Sequence, residues 1–193
     1  ECVIADYSGR KGIMVACRVS SEAARKALTL NDSVTIAAIN GPTSIVLSGW
    51  EDDVQAVIEG LGVSHKRLGV ALPYHSSVSL LADAAKVFAG RCDNLLASVN
   101  SSEQGSFFAL TFPDSATSTS AGATNKPAFV SCLTGSMIPV ARLLDTAYWT
   151  KQMLSTVQFD SCLQTLFGVA DDSIAPTLAV EIGPTSILID LAT

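Results

Sequence analysis

The stretch "RLGVALPYHSSVS", residues 67–79, places His75 after an apolar run and directly before Ser76 and Ser77. An imidazole carries a proton in either direction near neutrality, and a serine hydroxyl is a poor nucleophile until such a base removes its proton. These are the residue types of a base and a nucleophile. Local sequence leaves a second reading open, a histidine that ends a strand and is satisfied by its neighbours. The cysteines offer another nucleophile. Cys2, Cys17, Cys92, Cys132 and Cys162 are odd in number, scattered and without a CxxC pair, which speaks against a disulfide framework and against a zinc site. Cys132 with His75 as its base is a rival constellation, weakened because Cys132 lies in the apolar run "FVSCLTG" with no electropositive helix start to stabilise a thiolate. No metal site is expected.

The elements around these residues follow from periodicity. "GIMVACRV" (12–19) is a short run of strand formers, and "SSEAARKAL" offers Ser20 or Ser21 as an N-cap with Glu22 in the first turn. "VTIAAING" and "SIVLSG" flank a Gly41-Pro42 turn and predict a hairpin. "EDDVQAVIEGLG" sets Val54, Val57, Ile58 and Leu61 at the spacing of one buried helical face, behind three acids. "HKRLGVALPY" completes a βαββαβ order over 12–72, the ferredoxin-like arrangement in which two helices cover one face of an antiparallel sheet.

Beyond His75, "SVSLLADAAKVFAGR" predicts a helix from a serine cap, with Leu81, Ala84, Ala85 and Phe88 on one face. Residues 97–126 lack periodicity and include "PDSATSTSAGATNK", which predicts a flexible surface loop. "PAFVSCLTG" (127–135) is a buried-strand candidate. "DTAYWTKQM" predicts a helix capped by Asp145, and "QFDSCLQTLF" another with Phe159, Cys162, Leu163 and Leu166 on one face. "TLAVEIGPTSILIDL" reads as two strand-like runs split by Gly183-Pro184. Strands alternating with helices predict an α/β layer for this second part.

Composition narrows the function classes. Residues 1–75 hold seven Lys/Arg against eight Asp/Glu and residues 76–193 five against ten, about −1 and −5, within a net charge of −6. With 6% aromatic residues, neither the basic face nor the stacking residues of a nucleic-acid partner are present. No apolar run reaches the roughly 18–20 residues of a membrane span. The chain opens on Glu1, with no basic and apolar leader behind it. The expectation is an excerpt of a longer, cytoplasmic protein, in line with unpaired cysteines in a reducing compartment.

Six blocks in order, "GIMVAC", "VTIAAINGPTSIVLSG", "KRLGVALPYHSS", "FVSCLTG", "YWTKQMLSTVQF" and "VEIGPTSIL", resemble the acyltransferase domain of polyketide and fatty acid synthases. "INGPTSIVLSG" and "YHS" resemble most the iterative multidomain polyketide synthases. The resemblance implies an α/β fold: a ferredoxin-like subdomain over 11–72, and over 73–193 the C-terminal part of a larger α/β-hydrolase-like acyltransferase subdomain, with a long loop at about 97–126. It implies an active site in the cleft between the two.

By the same resemblance, a serine in a GHSxG elbow takes an acyl group from coenzyme A, and a histidine matching His75 serves as base and then acid. The acyl group passes to the phosphopantetheine thiol of an acyl carrier protein. The resemblance assigns the main-chain carbonyl of Cys132 to orient His75. Tyr74 becomes the substrate-selecting residue, a bulky aromatic that goes with malonyl. Lys66 and Arg67, beside His65, become candidates for docking the acidic carrier. Acyl-CoA is a substrate, no cofactor is bound by this segment, and the ketosynthase and other domains of one synthase are the further partners. No G-x-S-x-G is present: Ser8, Ser48 and Ser136 all lack the flanking glycine pair. The fragment alone is therefore expected to form no acyl-enzyme, and the alternative is an inactive acyltransferase-like scaffold for carrier docking.

Overall fold

The computed structural model describes residues 10–29, 32–70, 72–76, 79–101, 129–139, 142–143, 145–167, 180–183 and 187–192. The first part holds β1 (Gly12–Cys17), α1 (Ser21–Leu28), β2 (Val34–Gly41), β3 (Ser44–Trp50), α2 (Glu51–Leu61) and β4 (His65–Arg67). The strands form one sheet in the order β2-β3-β1-β4, with every neighbouring pair antiparallel. This is the ferredoxin-like order.

Strand pleating assigns the two faces. Ile13, Val15 and Cys17 of β1, Val34 and Ile36 of β2, and Ile45 and Leu47 of β3 pack against Ala24 of α1 and Val54, Val57 and Ile58 of α2. The opposite face carries smaller residues, with Met14, Ala37 and Val46 buried and Ala16, Ala38 and Leu68 packed on them. Ser20 caps α1 by accepting the Ala23 N–H at 3.2 Å. After three acids in its first turn, α2 ends at Gly62, whose φ of 60° is the left-handed cap that a residue with a Cβ adopts at a cost.

The expected fourth strand is shorter than its apolar run. β4 covers three residues, and after the Leu68 N–H reaches the Met14 carbonyl at 2.9 Å the chain leaves the sheet. Gly69 offers no side chain to pack and Pro73 no N–H to donate.

The second part holds α3 (Ser79–Ser101), β5 (Phe129–Ser131), β6 (Ser136–Ile138), α4 (Thr146–Leu154), α5 (Phe159–Phe167) and α6 (Leu188–Ala192). α3 runs into the expected loop, making 97–101 helical; 102–126 lie outside the described residues. Its inward stripe is buried at Leu81 and Ala85, while Phe88 stays exposed. Asp145 caps α4 as expected, accepting the Ala147 N–H at 2.9 Å. On α5, Cys162 is the buried member of the expected face, and Leu166 is exposed.

Two expectations change here. "PAFVSCLTG" holds the expected strand at Phe129–Ser131 with a turn after it, but the strand is not buried throughout: β5 pairs antiparallel with β6 as a two-stranded ribbon, and of its three residues only Ser131 is buried. The run after Gly183-Pro184 forms α6 rather than a strand. The Glu181 carboxylate accepts the N–H groups of Ile187, Leu188 and Ile189 at 3.0–3.1 Å, which are the donors a helix start leaves unpaired. So short an apolar run carries no period to separate helix from strand. The earlier run lies partly outside the described residues, and its 180–182 portion is not strand. Among the described residues no helix is long and apolar enough to cross a membrane.

Candidate active site

His75 sits in a turn built by its neighbours. Pro73 is buried against the start of β1, where a Cβ on Gly12 would overlap the proline Cδ. The Tyr74 N–H returns to the Leu72 carbonyl at 3.0 Å. The Ser76 hydroxyl, fully buried, donates to the Pro73 carbonyl at 2.6 Å. Between them His75 adopts φ 55°, and it is the one non-glycine with positive φ among the described residues. Such a backbone costs about 1–3 kcal/mol and persists where surrounding contacts over-determine it. Ser76 is spent on closing this turn and is not the hydroxyl His75 would activate; Ser77 lies outside the described residues.

The compensating contacts come from the end of α4. The last carbonyls of a helix have no partner within it, and His75 takes two of them. Its main-chain N–H donates to Met153 at 3.2 Å, and its Nδ1 lies 3.1 Å from the Gln152 carbonyl. The Ser155 carbonyl, just past the helix, is also 3.1 Å from Nδ1. A carbonyl oxygen can only accept, so Nδ1 carries a proton, and in the neutral ring Nε2 is the nitrogen with the lone pair. That is the tautomer of a general base, set here by main-chain oxygens where a triad uses a carboxylate.

The segment that follows is laced to the ferredoxin-like sheet. The Thr156 hydroxyl donates to the Ile36 carbonyl at 2.7 Å. The Val157 N–H donates to Ala37 at 2.8 Å, the Ile39 N–H to Val157 at 2.9 Å, and Val157 forms a parallel bridge with Ala38. The free edge of β2 is thus bridged at one residue by the second part of the chain. From the same sheet the Thr35 hydroxyl reaches the His75 carbonyl at 3.5 Å. A cleft of roughly 760 Å³ lies between α3 and α4, lined by Ala89, Asp93, Lys151, Leu154 and Ser155 among others.

Of the residues singled out in the sequence, His75 and Tyr74 are brought together, Tyr74 being exposed beside the histidine. Cys132 does not do what the resemblance assigns to it. Its carbonyl accepts the Gln158 N–H at 2.7 Å and its Sγ lies 3.7 Å from Cys162 Sγ; the carbonyls on the imidazole are those of Gln152 and Ser155. Main-chain oxygens leave no mark in a sequence. The one usable signal was the Asp145 cap, which sets where α4 begins and so where its last carbonyls fall. Lys66 and Arg67 are exposed on β4, at the sheet edge, and Arg67 is bonded to Glu51. Among the described residues no group of three or more His, Cys, Asp or Glu is placed to hold a metal ion.

No protein-family model matches the chain. It is 29% identical over 196 residues to a highly reducing polyketide synthase of Preussia isomera, covering 96% of this chain and 7% of that protein. It is 31% identical over 186 residues to a reducing polyketide synthase of Metacordyceps chlamydosporia, covering 93% of this chain and again 7% of the relative. Among solved structures it is similar to the acyltransferase domain from the second module of the salinomycin polyketide synthase, with a TM-score of 0.64 and 26% identity over 95% of this chain and 36% of that one. The malonyl CoA-acyl carrier protein transacylase from Burkholderia pseudomallei gives a TM-score of 0.65 at 20% identity, covering 96% and 56%. Each likeness extends over nearly the whole chain, across the sheet and the helices that follow it.

Proposed function

We propose, for a chain whose sequence and fold are those of polyketide-synthase acyltransferase domains over nearly its whole length, that it supplies the proton-transfer side of acyl transfer from coenzyme A to a carrier protein. The observation that carries this reading is the Nδ1 of His75 held by two main-chain carbonyls at 3.1 Å. Nε2 then accepts the proton of a serine hydroxyl supplied by another segment as that oxygen attacks the thioester carbonyl. The imidazolium returns the proton to the departing coenzyme A thiolate. In the second half His75 takes the proton of the phosphopantetheine thiol, which attacks the serine ester, and then protonates the serine oxygen as it leaves. The acyl group is malonyl on this reading, supported by the aromatic Tyr74 next to the base, and the exposed Lys66 beside Arg67 offers positive charge to an acidic carrier.

The test is acylation of the complete domain by radiolabelled malonyl-CoA. His75→Ala is expected to slow labelling of the serine by about 10²–10⁴-fold, the usual size of a general-base contribution. Labelling at the normal rate overturns the assignment. A complete domain that takes no label with His75 intact is the outcome expected of an inactive docking scaffold.

A further inference from the structure

Two thiols that the acyl-transfer reading does not use lie in contact. Cys132, in the turn after β5, and Cys162, on α5, have their sulfurs 3.7 Å apart. They are 30 positions apart in the chain, and both are anchored to Gln158. The Gln158 N–H donates to the Cys132 carbonyl at 2.7 Å, and the Cys162 N–H donates to the Gln158 carbonyl at 3.0 Å. The backbone on both sides of the pair is therefore held independently of the sulfurs.

We propose that Cys132 and Cys162 are a redox site, a dithiol that a peroxide oxidises to an intrachain disulfide. The sulfurs must close by about 1.7 Å to reach the bonded distance of about 2.05 Å. The order of events follows from burial. Cys132 is half-buried and meets the oxidant, whereas Cys162 is 4% exposed. Burial, reinforced by the charge of Cys132 beside it, pushes the Cys162 thiol up to about 12, so Cys162 is the resolving partner and not the first to react. Hydrogen peroxide converts the Cys132 thiol to a sulfenic acid and releases one water. The Cys162 sulfur then attacks the Cys132 sulfur, the S–O bond breaks, and the departing hydroxide takes the Cys162 proton as a second water. Two thiols lose two electrons and one peroxide gains them.

The closed loop encloses α4 and the 152–157 segment that carries the partners of His75. The disulfide thus ties the supports of the candidate base without touching the base itself.

The experiment treats the full chain with hydrogen peroxide at neutral pH and maps the cysteines by mass spectrometry without reduction. The expected result is one cross-linked peptide joining Cys132 to Cys162, lighter by two hydrogens, reversed by dithiothreitol, while Cys92, also half-buried, stays reduced. In Cys162→Ala the Cys132 sulfenic acid should persist and be captured by dimedone, at several-fold higher yield than in the native chain. Cys132 oxidised to sulfinic acid with Cys162 still reduced, a bridge to another cysteine, or no change in either thiol overturns the proposal. None of these readouts depends on acyl transfer, so the site stands or falls apart from the function proposed above.

Discussion

The main-chain N–H of His75 donates to the carbonyl of Met153 at 3.2 Å, joining the histidine to the end of α4 before its ring makes any contact. The ring then takes the Gln152 carbonyl from the same helix end. One residue thereby serves as a cap for α4, and α4 in turn fixes both the position and the tautomer of the imidazole. The left-handed backbone of His75 is the means by which main chain and side chain can face one helix end together. The helix is itself held from below, since Thr156 and Val157 continue it onto the edge of β2.

Thr156 is therefore expected to matter for rate as well as stability. Thr156→Val removes the 2.7 Å bond to the Ile36 carbonyl and should lower stability by about 1 kcal/mol, the net worth of one such bond. Loosening the segment behind Gln152 and Ser155 should lower kcat of the complete domain with KM unchanged, because substrate groups are not touched. Thr156→Ser keeps the hydroxyl and should restore most of the rate. Urea denaturation and steady-state kinetics check both parts, and an equal loss in the valine and serine variants would point to packing instead.

The ferredoxin-like part was legible in the sequence because its elements carry local signals: the short runs of strand formers in β1 and β3, the Val54-Val57-Ile58 face of α2, and the Ser20 cap. The supports of His75 were not. A resemblance to a family pointed to Cys132 for a task that the structure gives to Gln152 and Ser155, since main-chain carbonyls are indifferent to the side chain that precedes or follows them. The tail misled for another reason. Residues 186–191 read as a strand from composition, yet a single carboxylate at Glu181 collects three successive N–H groups and starts a helix.

Gly12 is predicted to be intolerant of any side chain. Gly12→Ala places a methyl against the Pro73 ring, two residues before the histidine. Overpacking of this kind costs about 1–3 kcal/mol, and the strain can be relieved only by moving the turn that carries His75. Denaturant titration should show the loss, and the amide resonances of residues 74–76 should shift. A stable variant with unmoved resonances would mean that Pro73 gives way elsewhere.

A pH dependence is expected from Glu51. The Arg67 guanidinium bonded to it, with Lys11 adding to the field, holds its carboxyl below its usual value near 4.5. A folded-state pKa depressed in this way contributes stability that is fully present above the ordinary carboxylate value and lost as pH falls through the lowered one. Denaturation midpoints followed from pH 6 to pH 3 should therefore drop at the acid end. In Glu51→Gln the drop should be shallower. The pair is exposed, so added salt should shrink the difference between the two proteins; identical acid profiles would remove Glu51 from the acid response.

Tyr74 yields the last prediction. Its backbone is pinned by the bond from its N–H to the Leu72 carbonyl at 3.0 Å, and its side chain is 41% exposed next to the base. On the proposed reading the phenol ring takes space that an α-methyl on the acyl group would need and that malonyl does not. Tyr74→Ser should then admit methylmalonyl. One methyl in such a pocket is worth about 1–3 kcal/mol, or roughly 10–200-fold in kcat/KM, so competition between malonyl-CoA and methylmalonyl-CoA on the complete domain should show the preference falling by at least about tenfold. Tyr74→Phe keeps the ring and should keep the preference. If the serine variant discriminates as the native protein does, the ring is packing at the turn and selectivity lies in other residues.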